Sequence, residues 1–401
     1  MKIRKIAIFT GNRAEYGLQF PIIEAISKSS NLDYRLLVSG AHLDENFGNT
    51  LKEIENDGFK ISYEIKINLP SDDLFGTTQA IGSGVISISK ALQKIKPDFF
   101  VVYADRFEGF SALIAGTQMN IPTAHIEGGD ITEGGALDDS VRHAMTKLAH
   151  IHFTTNKQAS NRIISMGEEK WRVKNVGFPA IDLIKRKNYA TPKELEKNFN
   201  VNLNKPIVIF TQHSVTTEFE KVVSQIKPCL DALIKLNHED IQIFITYPNN
   251  DAGGVKIIKN LELLRNKFKN IGIYKSLGRY NYHGFLSLAL TKKYKVVCVG
   301  NSSSGIKETP AFKCPTVNIG SRQKSRLRGS NVIDVNYDEK NIYKCIKKCL
   351  FDTNFRKKCR ETINPYGKGN AGIKISKTLE RIDINKKLLQ KKMTILGLNN
   401  G

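Results

Sequence analysis

The chain has 401 residues, 40% of them hydrophobic and 25% charged, ordinary values for a soluble globular protein with room for two domains. No apolar run approaches the roughly 18 residues that cross a bilayer, and the basic start lacks a small-residue cleavage site, so neither a membrane segment nor a secretory leader is expected and the protein reads as cytoplasmic. Lysine and arginine number 61 against 39 acids, a net charge of +22, but the lysines are scattered rather than interleaved with aromatics, which argues for a solvated surface and against a nucleic-acid binder.

The first predicted strand, Ile6–Thr10, runs into Gly11-Asn12-Arg13, and a helix follows over Tyr16–Ser27. This junction is neither G-x-G-x-x-G nor a P-loop, so NAD and ATP chemistry are unsupported and no cofactor is expected. Arg13 stands at a strand end, where it can clamp a phosphate. A strand at Tyr34–Ser39 and a helix at Gly84–Ile95 lead to Phe99–Ala104, which ends in Asp105-Arg106. The strand Thr123–Ile126 ends in Glu127 and opens a glycine-rich loop. That loop gathers Glu127, Asp130, Glu133, Asp138 and Asp139 ahead of Arg142 and His143 on the next helix, Asp139–Leu148. Crowded carboxylates repel one another, which raises some of their pKa values and suits proton transfer; the plainer alternative is a solvated acidic loop. Asp138 and Arg142 are spaced i, i+4 and are expected to share a helix face.

Strands at His152–Thr155 and Val173–Val176 complete the first half, and a lysine-rich stretch, Lys185–Lys205, separates it from a second set. The second set comprises Ile207–Thr211, Ile241–Thr246, Ile271–Tyr274, Val296–Val299, Thr316–Ile319 and Val332–Val335. Strands alternating with helices mean parallel sheets covered on both faces. Two doubly wound, Rossmann-like α/β domains over residues 1–185 and 200–370, with a ligand cleft between them, are the simplest account. His213 ends the first strand of the second set. Gly300-Asn301-Ser302-Ser303-Ser304-Gly305 follows a later one and makes a phosphate seat at a helix start, or else a simple serine cap. Glu308, one turn on, suits the two hydroxyls of a ribose, and Arg322 adds charge. The six cysteines include no C-x-x-C and the histidines no H-E-x-x-H, so no metal is indicated.

At these residues the chain resembles the hydrolysing UDP-N-acetylglucosamine 2-epimerases, which feed bacterial sialic-acid synthesis and form one half of the bifunctional animal enzyme. The resemblance is carried by Gly11–Tyr16 (G-N-R-A-E-Y), Asp105–Glu108 (D-R-F-E), His125–Gly129 (H-I-E-G-G), Leu137–Lys147, His213–Glu218 (H-S-V-T-T-E), Gly300–Glu308 and Asn364–Ala371. It spans about nine-tenths of the chain. It implies a GT-B-like pair of domains, with residues 371–401 forming a helix that packs back on the first. It also implies a nucleotide-sugar substrate and a homo-oligomer, dimer or tetramer.

The reaction it implies removes the C2 proton as UDP leaves C1, giving a 2-acetamidoglucal to which water then adds. Asp105, Glu127 and Asp138 carry over as the catalytic acids, with Arg106 and Arg142 positioning them or the substrate. Arg13, His213, Ser302, Ser303 and Arg322 carry over to the departing diphosphate, Glu308 to the ribose, and Phe285 to a stack near uracil. Two departures stand out. The loop Asp130–Leu137 is longer than in the animal enzyme, and the family's usual proline after the histidine is missing from His213-Ser214-Val215. Close relatives in this family act on a 2,4-diacetamido-2,4,6-trideoxy sugar nucleotide of the legionaminic-acid pathway. A GT-B glycosyltransferase is the other enzyme reading: it would share the nucleotide seat but need an acceptor pocket rather than clustered acids.

Overall fold

Runs of β-branched and aromatic residues bounded by polar turns favour strands, and the longer amphipathic stretches between them favour helices. In the computed structural model, which describes residues 3–43, 51–68, 70–71, 74–131, 137–248 and 253–394, these runs form two wholly parallel sheets. The chain divides into two units, the first built from Met1–Asp130, Leu137–Leu183 and Gly369–Gly401, the second centred on Ile184–Lys368.

The first sheet holds β1 (Arg4–Thr10), β2 (Leu32–Ser39), β3 (Ile61–Ile65), β4 (Phe99–Tyr103), β5 (Thr123–Ile126), β6 (Ile151–Thr154) and β7 (Val173–Asn175), in the order β3-β2-β1-β4-β5-β6-β7. Its central strands are buried on both faces, and alternate residues enter two cores. Ile6, Ile8, Val101 and Ile126 face one; Ala7, Phe9, Phe100 and Val102 face the other. The second sheet holds β8 (Ile207–Thr211), β9 (Gln242–Thr246), β10 (Gly272–Tyr274), β11 (Val296–Gly300), β12 (Thr316–Ile319) and β13 (Val332–Val335), in the order β10-β9-β8-β11-β12-β13. Val208, Phe210, Val297 and Val299 pack into one core, Ile207, Ile209, Val296 and Cys298 into another.

In each sheet the chain winds outward from a central strand, returns, and winds the other way. The reversal lies between β1 and β4 in the first sheet and between β8 and β11 in the second. Connections leave the sheet in opposite directions there, which opens a crevice at the carboxyl ends of the strands. That topology decides where chemistry is possible.

The first unit is closed by the far end of the chain. Helix Ala371–Arg381 packs on helix Arg13–Ser27, with Ala371, Ile375 and Leu379 in the same core as Ile22, Ile23 and Ile26. Asp182 caps it: its two carboxylate oxygens accept from the Ala371 and Gly372 amides at 2.9 Å each. Beyond it, the fully buried guanidinium of Arg172 donates to the carbonyls of Leu388 and Lys387 at 2.7 Å each, and to Gln390 at 3.2 Å. Lys391 in turn donates to the carbonyls of Lys147 and Ala149 and pairs with Glu168.

Three elements differ from the sequence expectation. The helix expected over residues 371–401 ends at Arg381, and beyond it only Lys386–Leu389 is helical among the described residues. β3 was not anticipated, because Ile61-Ser62-Tyr63-Glu64-Ile65 is a short edge strand, mostly half-buried, without an apolar run. The helix predicted to start at Gly84 starts at Leu74. Its first turns carry exposed Leu74 and Phe75 and the glycines Gly76 and Gly82, which blur the helical period. Among the described residues no helix is long and apolar enough to cross a membrane, and the cysteines are unpaired thiols.

Candidate active site

In the first unit the polar ends of β1, β4 and β5 lie side by side, since these strands are neighbours in the sheet. After β1, Asn12 caps helix Arg13–Ser27 by accepting from the Glu15 amide at 3.0 Å, and the Glu15 carboxylate turns back to accept from the Gly11 amide at 3.0 Å. Glu108, in the first turn after β4, packs its side chain against Gly11 from the other side. Both carboxyls are buried, and among the described residues Glu15 Oε1 and Glu108 Oε2 find no hydrogen-bond partner. Burial, then the neighbouring Glu108, raises the pKa of Glu15 to about 8 against the opposing pull of the Gly11 amide and Arg106. Burial also raises Glu108, opposed by Arg106, whose Nε lies 3.7 Å from its Oε2. Burial alone would weaken the charge of Arg106, but Glu108, Glu15, Asp138 and Asp105 hold it further into its charged range.

The turn after β4 places Asp105 against the buried guanidinium of Arg142, which also donates to Asp139 at 3.2 Å. Burial, the largest influence on Arg142, would favour its neutral form; the charges of Asp105, Asp130, Glu127 and Asp139 overcome it. Glu127 and Asp130 are buried after β5, above the Tyr103 phenol. Burial, then the charge of Glu127, keeps that phenol protonated well above its ordinary range. Two residues at these strand ends have left-handed backbones, Ala104 (φ 57°) and Glu127 (φ 67°). Such conformations in non-glycine residues concentrate where a site fixes its geometry.

The polar end of the second sheet is built differently. Gly300 ends β11 at φ 121°, and a Cβ there would lie 1.9 Å from the Thr211 carbonyl oxygen, so only glycine brings β8 and β11 together at this point. Asn301 then ties the two strand ends: its Oδ1 accepts from the His213 amide at 2.7 Å and its Nδ2 donates to the His213 carbonyl at 2.9 Å. The Asn301 carbonyl accepts in turn from Gln323 at 2.9 Å and Arg322 at 3.4 Å. Burial, then the charge of Arg322, lowers the His213 pKa to about 3, so its imidazole is neutral at ordinary pH. Ser302 and Ser303 are half-buried before a single helical turn, Ser304–Lys307, and their own carbonyls accept from the Gly305 and Ile306 amides at 3.1 Å each, which starts the turn at these two serines. Glu308 is fixed through Oε2 by His283 Nε2 at 2.8 Å and Ser304 Oγ at 3.0 Å. Burial, the largest influence, pushes its carboxyl up; the bond and charge of His283, the Ser304 hydroxyl and Lys307 outweigh it and keep it ionised.

Within the first unit the structure brings together Asp105, Arg106, Glu127 and Arg142, and within the second His213, Ser302, Ser303, Glu308 and Arg322. Three expectations need revision or fall elsewhere. Arg142 is paired with buried Asp139, while Asp138 is exposed on the same turn and acts on Arg106. Phe285 is wholly buried, its ring packed against Phe199 and Phe244, so it is a core residue with no face open to a base. The Arg13 side chain and the loop residues 132–136, including Glu133, lie outside the described parts. Glu15, Glu108, His125 and Asn301 carry no role in the sequence reading, and Asp139 enters it only as one acid of the glycine-rich loop. The visible signals were slight: a glutamate three residues after an N-cap asparagine, and a second acid beside Asp138.

Two doubly wound parallel sheets, each with its polar residues at a topological switch point, define a GT-B-like α/β protein. The chain belongs to the UDP-N-acetylglucosamine 2-epimerase family, whose model matches residues 24–380. It is 36% identical over 335 residues to the hydrolysing GDP/UDP-N,N'-diacetylbacillosamine 2-epimerase of Campylobacter jejuni, covering 83% of this chain and 85% of that one. It is 31% identical over 389 residues to the hydrolysing UDP-N,N'-diacetylbacillosamine 2-epimerase of Legionella pneumophila, covering 97% and 99%. In fold it matches the UDP-GlcNAc 2-epimerase of Neisseria meningitidis, solved bound to UDP-GlcNAc, with a TM-score of 0.79 at 20% identity over 94% of this chain and 99% of that one. Family membership favours an epimerase over the glycosyltransferase that the same architecture would also suit.

Proposed function

We propose that the chain is a hydrolysing 2-epimerase of a nucleotide-linked 2-acetamido sugar. The observation that carries this reading is the crowding of Asp105, Glu127, Asp130 and Asp139 around Arg142 at the ends of β4 and β5. A proton on a sugar carbon is weakly acidic, so its removal needs both a positioned carboxylate and a stabilised leaving group. Asp105, Glu127 and Asp138 are the candidate acids and bases, with Arg106 and Arg142 holding them or the substrate in place. One carboxylate takes the C2 proton while the C1–oxygen bond to the diphosphate breaks, leaving a 2-acetamidoglucal. Water then adds its oxygen to C1 and a proton returns to C2, releasing the free 2-epimeric sugar and the nucleoside diphosphate. His213, the Ser302 and Ser303 amides and Arg322, with Arg13, would bear the departing diphosphate, and Glu308 the ribose. The neutral state of His213 suits a hydrogen-bond donor that does not compete with the carboxylates for protons.

The sugar has two readings. UDP-N-acetylglucosamine would give N-acetylmannosamine and UDP. A UDP- or GDP-linked 2,4-diacetamido-2,4,6-trideoxyglucose would give the corresponding 2-epimer on the way to a legionaminic-type acid. The curated relatives described above favour the second, since both are named for the diacetamido sugar. Proton NMR of the purified protein with each nucleotide sugar in D₂O tests the proposal. Free 2-epimeric sugar carrying deuterium at C2, with equimolar nucleoside diphosphate, is the expected result. Reversible interconversion of intact nucleotide sugars would overturn the hydrolysing assignment, and release of diphosphate only with an added acceptor would mean glycosyl transfer.

A further inference from the structure

Ala104 immediately precedes Asp105, and its left-handed backbone sets the direction in which that acid leaves β4. Both polar groups of this residue are bound by β5. The Ala104 amide donates to the Ile126 carbonyl at 3.0 Å, and the Ala104 carbonyl accepts from His125 Nε2 at 2.6 Å. His125 is fully buried, so no water competes for these contacts. A carbonyl only accepts, so Nε2 carries the ring proton and Nδ1 is left as an acceptor. Nδ1 lies 3.3 Å from the hydroxyl of Thr146, one turn beyond Arg142 on helix Leu137–Leu148. Burial lowers the His125 pKa to about 3, against the raising effect of the Ala104 bond, so a single neutral tautomer persists at working pH.

The fit around the ring is close. A Cβ at Gly128 would lie 2.9 Å from both His125 Nδ1 and Thr146 Oγ1, so the glycine after Glu127 is pressed against the same pair. One imidazole therefore touches the turn that carries Asp105 and Arg106, the segment that follows Glu127, and the helix that supplies Asp139 and Arg142.

We propose that His125 is a positioning residue for the reaction: its Nε2–H holds the Ala104 peptide and thereby aims Asp105 at Arg142. The proposal rests on the reading of Asp105 as a catalytic acid, but its structural half is measurable without turnover. His125→Phe keeps the ring volume and removes the donor; His125→Gln keeps a donor near the position of Nε2. In His125→Phe, amide hydrogen exchange across residues 104–107 should quicken at least about tenfold while the rest of the sheet stays protected. The kcat should fall about 30- to 100-fold, with KM moved less than about threefold and UDP affinity unchanged. His125→Gln should recover kcat to within about fivefold of the wild type. Should His125→Phe fail to fold, His125→Asn, whose amide falls short of the Ala104 carbonyl, takes its place with the same expected changes. Unchanged exchange in the turn, or a His125→Gln as impaired as His125→Phe, would overturn the proposal, because packing and not the hydrogen bond would then be at work. A wild-type protein that turns over no nucleotide sugar would remove the functional reading, while the exchange data would still decide whether His125 holds the turn.

Discussion

The two sheets follow the same winding rule, yet their polar ends differ in kind. At the first, carboxyls and guanidiniums are packed together, two non-glycine residues sit in left-handed backbone at about 1–2 kcal/mol each, and Glu15 and Glu108 are pushed toward their neutral forms. At the second, a glycine takes the awkward backbone, the imidazole is neutral, and an asparagine amide ties the two central strand ends without any formal charge. The first arrangement suits exchange of protons among groups of graded acidity. The second suits holding a fixed charge without taking part in proton traffic. One topology can thus carry two different polar ends, because the strand-end residues, and not the sheet, set the electrostatics.

Variants can break that division of labour. The largest effect is expected at the first sheet: Glu127→Gln should cut hydrolytic turnover by about a thousandfold or more, while calorimetric UDP affinity stays within twofold of the wild type. A matching loss of UDP binding would mean that the two ends do not act separately. Next, Asn301→Ala leaves the buried His213 amide and carbonyl without their partners; UDP affinity should weaken about 10- to 100-fold and the fold lose about 1–3 kcal/mol in denaturant titrations. Turnover at saturating substrate should fall much less, and an equal fall would blur the comparison.

Glu15 offers a pH test. Its folded value, about 8, lies above the ordinary 4.5, so the folded state keeps a proton that the unfolded chain has released between those values. Its contribution to stability is therefore full below pH 4.5 and is lost as pH rises toward 8. Glu15→Gln removes this dependence. Relative to the wild type, it should gain on the order of 4–5 kcal/mol between acidic and mildly alkaline buffer. Parallel stability curves for the two proteins would show that Glu15 is already ionised in the fold. The smallest effect is expected at Phe285→Leu: about 1 kcal/mol of stability lost and no change in UDP affinity, as befits a core ring packed on Phe199 and Phe244. A drop in UDP affinity would return Phe285 to the nucleotide.

Much of this arrangement was legible in the sequence. Buried parallel strands read as apolar runs, and Asp105, Glu127 and His213 stand where those runs stop. What was hidden depends on contacts across the sheet. Nothing near Glu108 in the chain announces that it packs against Gly11, and His125 reads as one more residue of a short strand until β4 is laid beside it. Asp138 and Asp139 are neighbours, so a rotation of one residue decides which faces Arg142, and the glycine-rich stretch before them gives no register. Phe285 is the same problem in a core: on a helix with Tyr280, Tyr282 and His283, aromatic character alone does not say which ring points inward.

The return of residues 369–394 to the first unit bears on how the protein is made. Arg172 is the largest wholly buried side chain among the described residues; Glu169 and the His150 carbonyl take part of its guanidinium, and the rest is satisfied by the carbonyls of Lys387, Leu388 and Gln390. Asp182 likewise waits for the amides of Ala371 and Gly372. During translation the first sheet emerges early but cannot bury these charged groups until nearly the whole chain has left the ribosome. The second unit, whose strands are contiguous in sequence, is free to close first. The half of the molecule synthesised first is therefore the half that finishes folding last, and chains truncated before residue 369 should leave that half as the exposed, chaperone-dependent part.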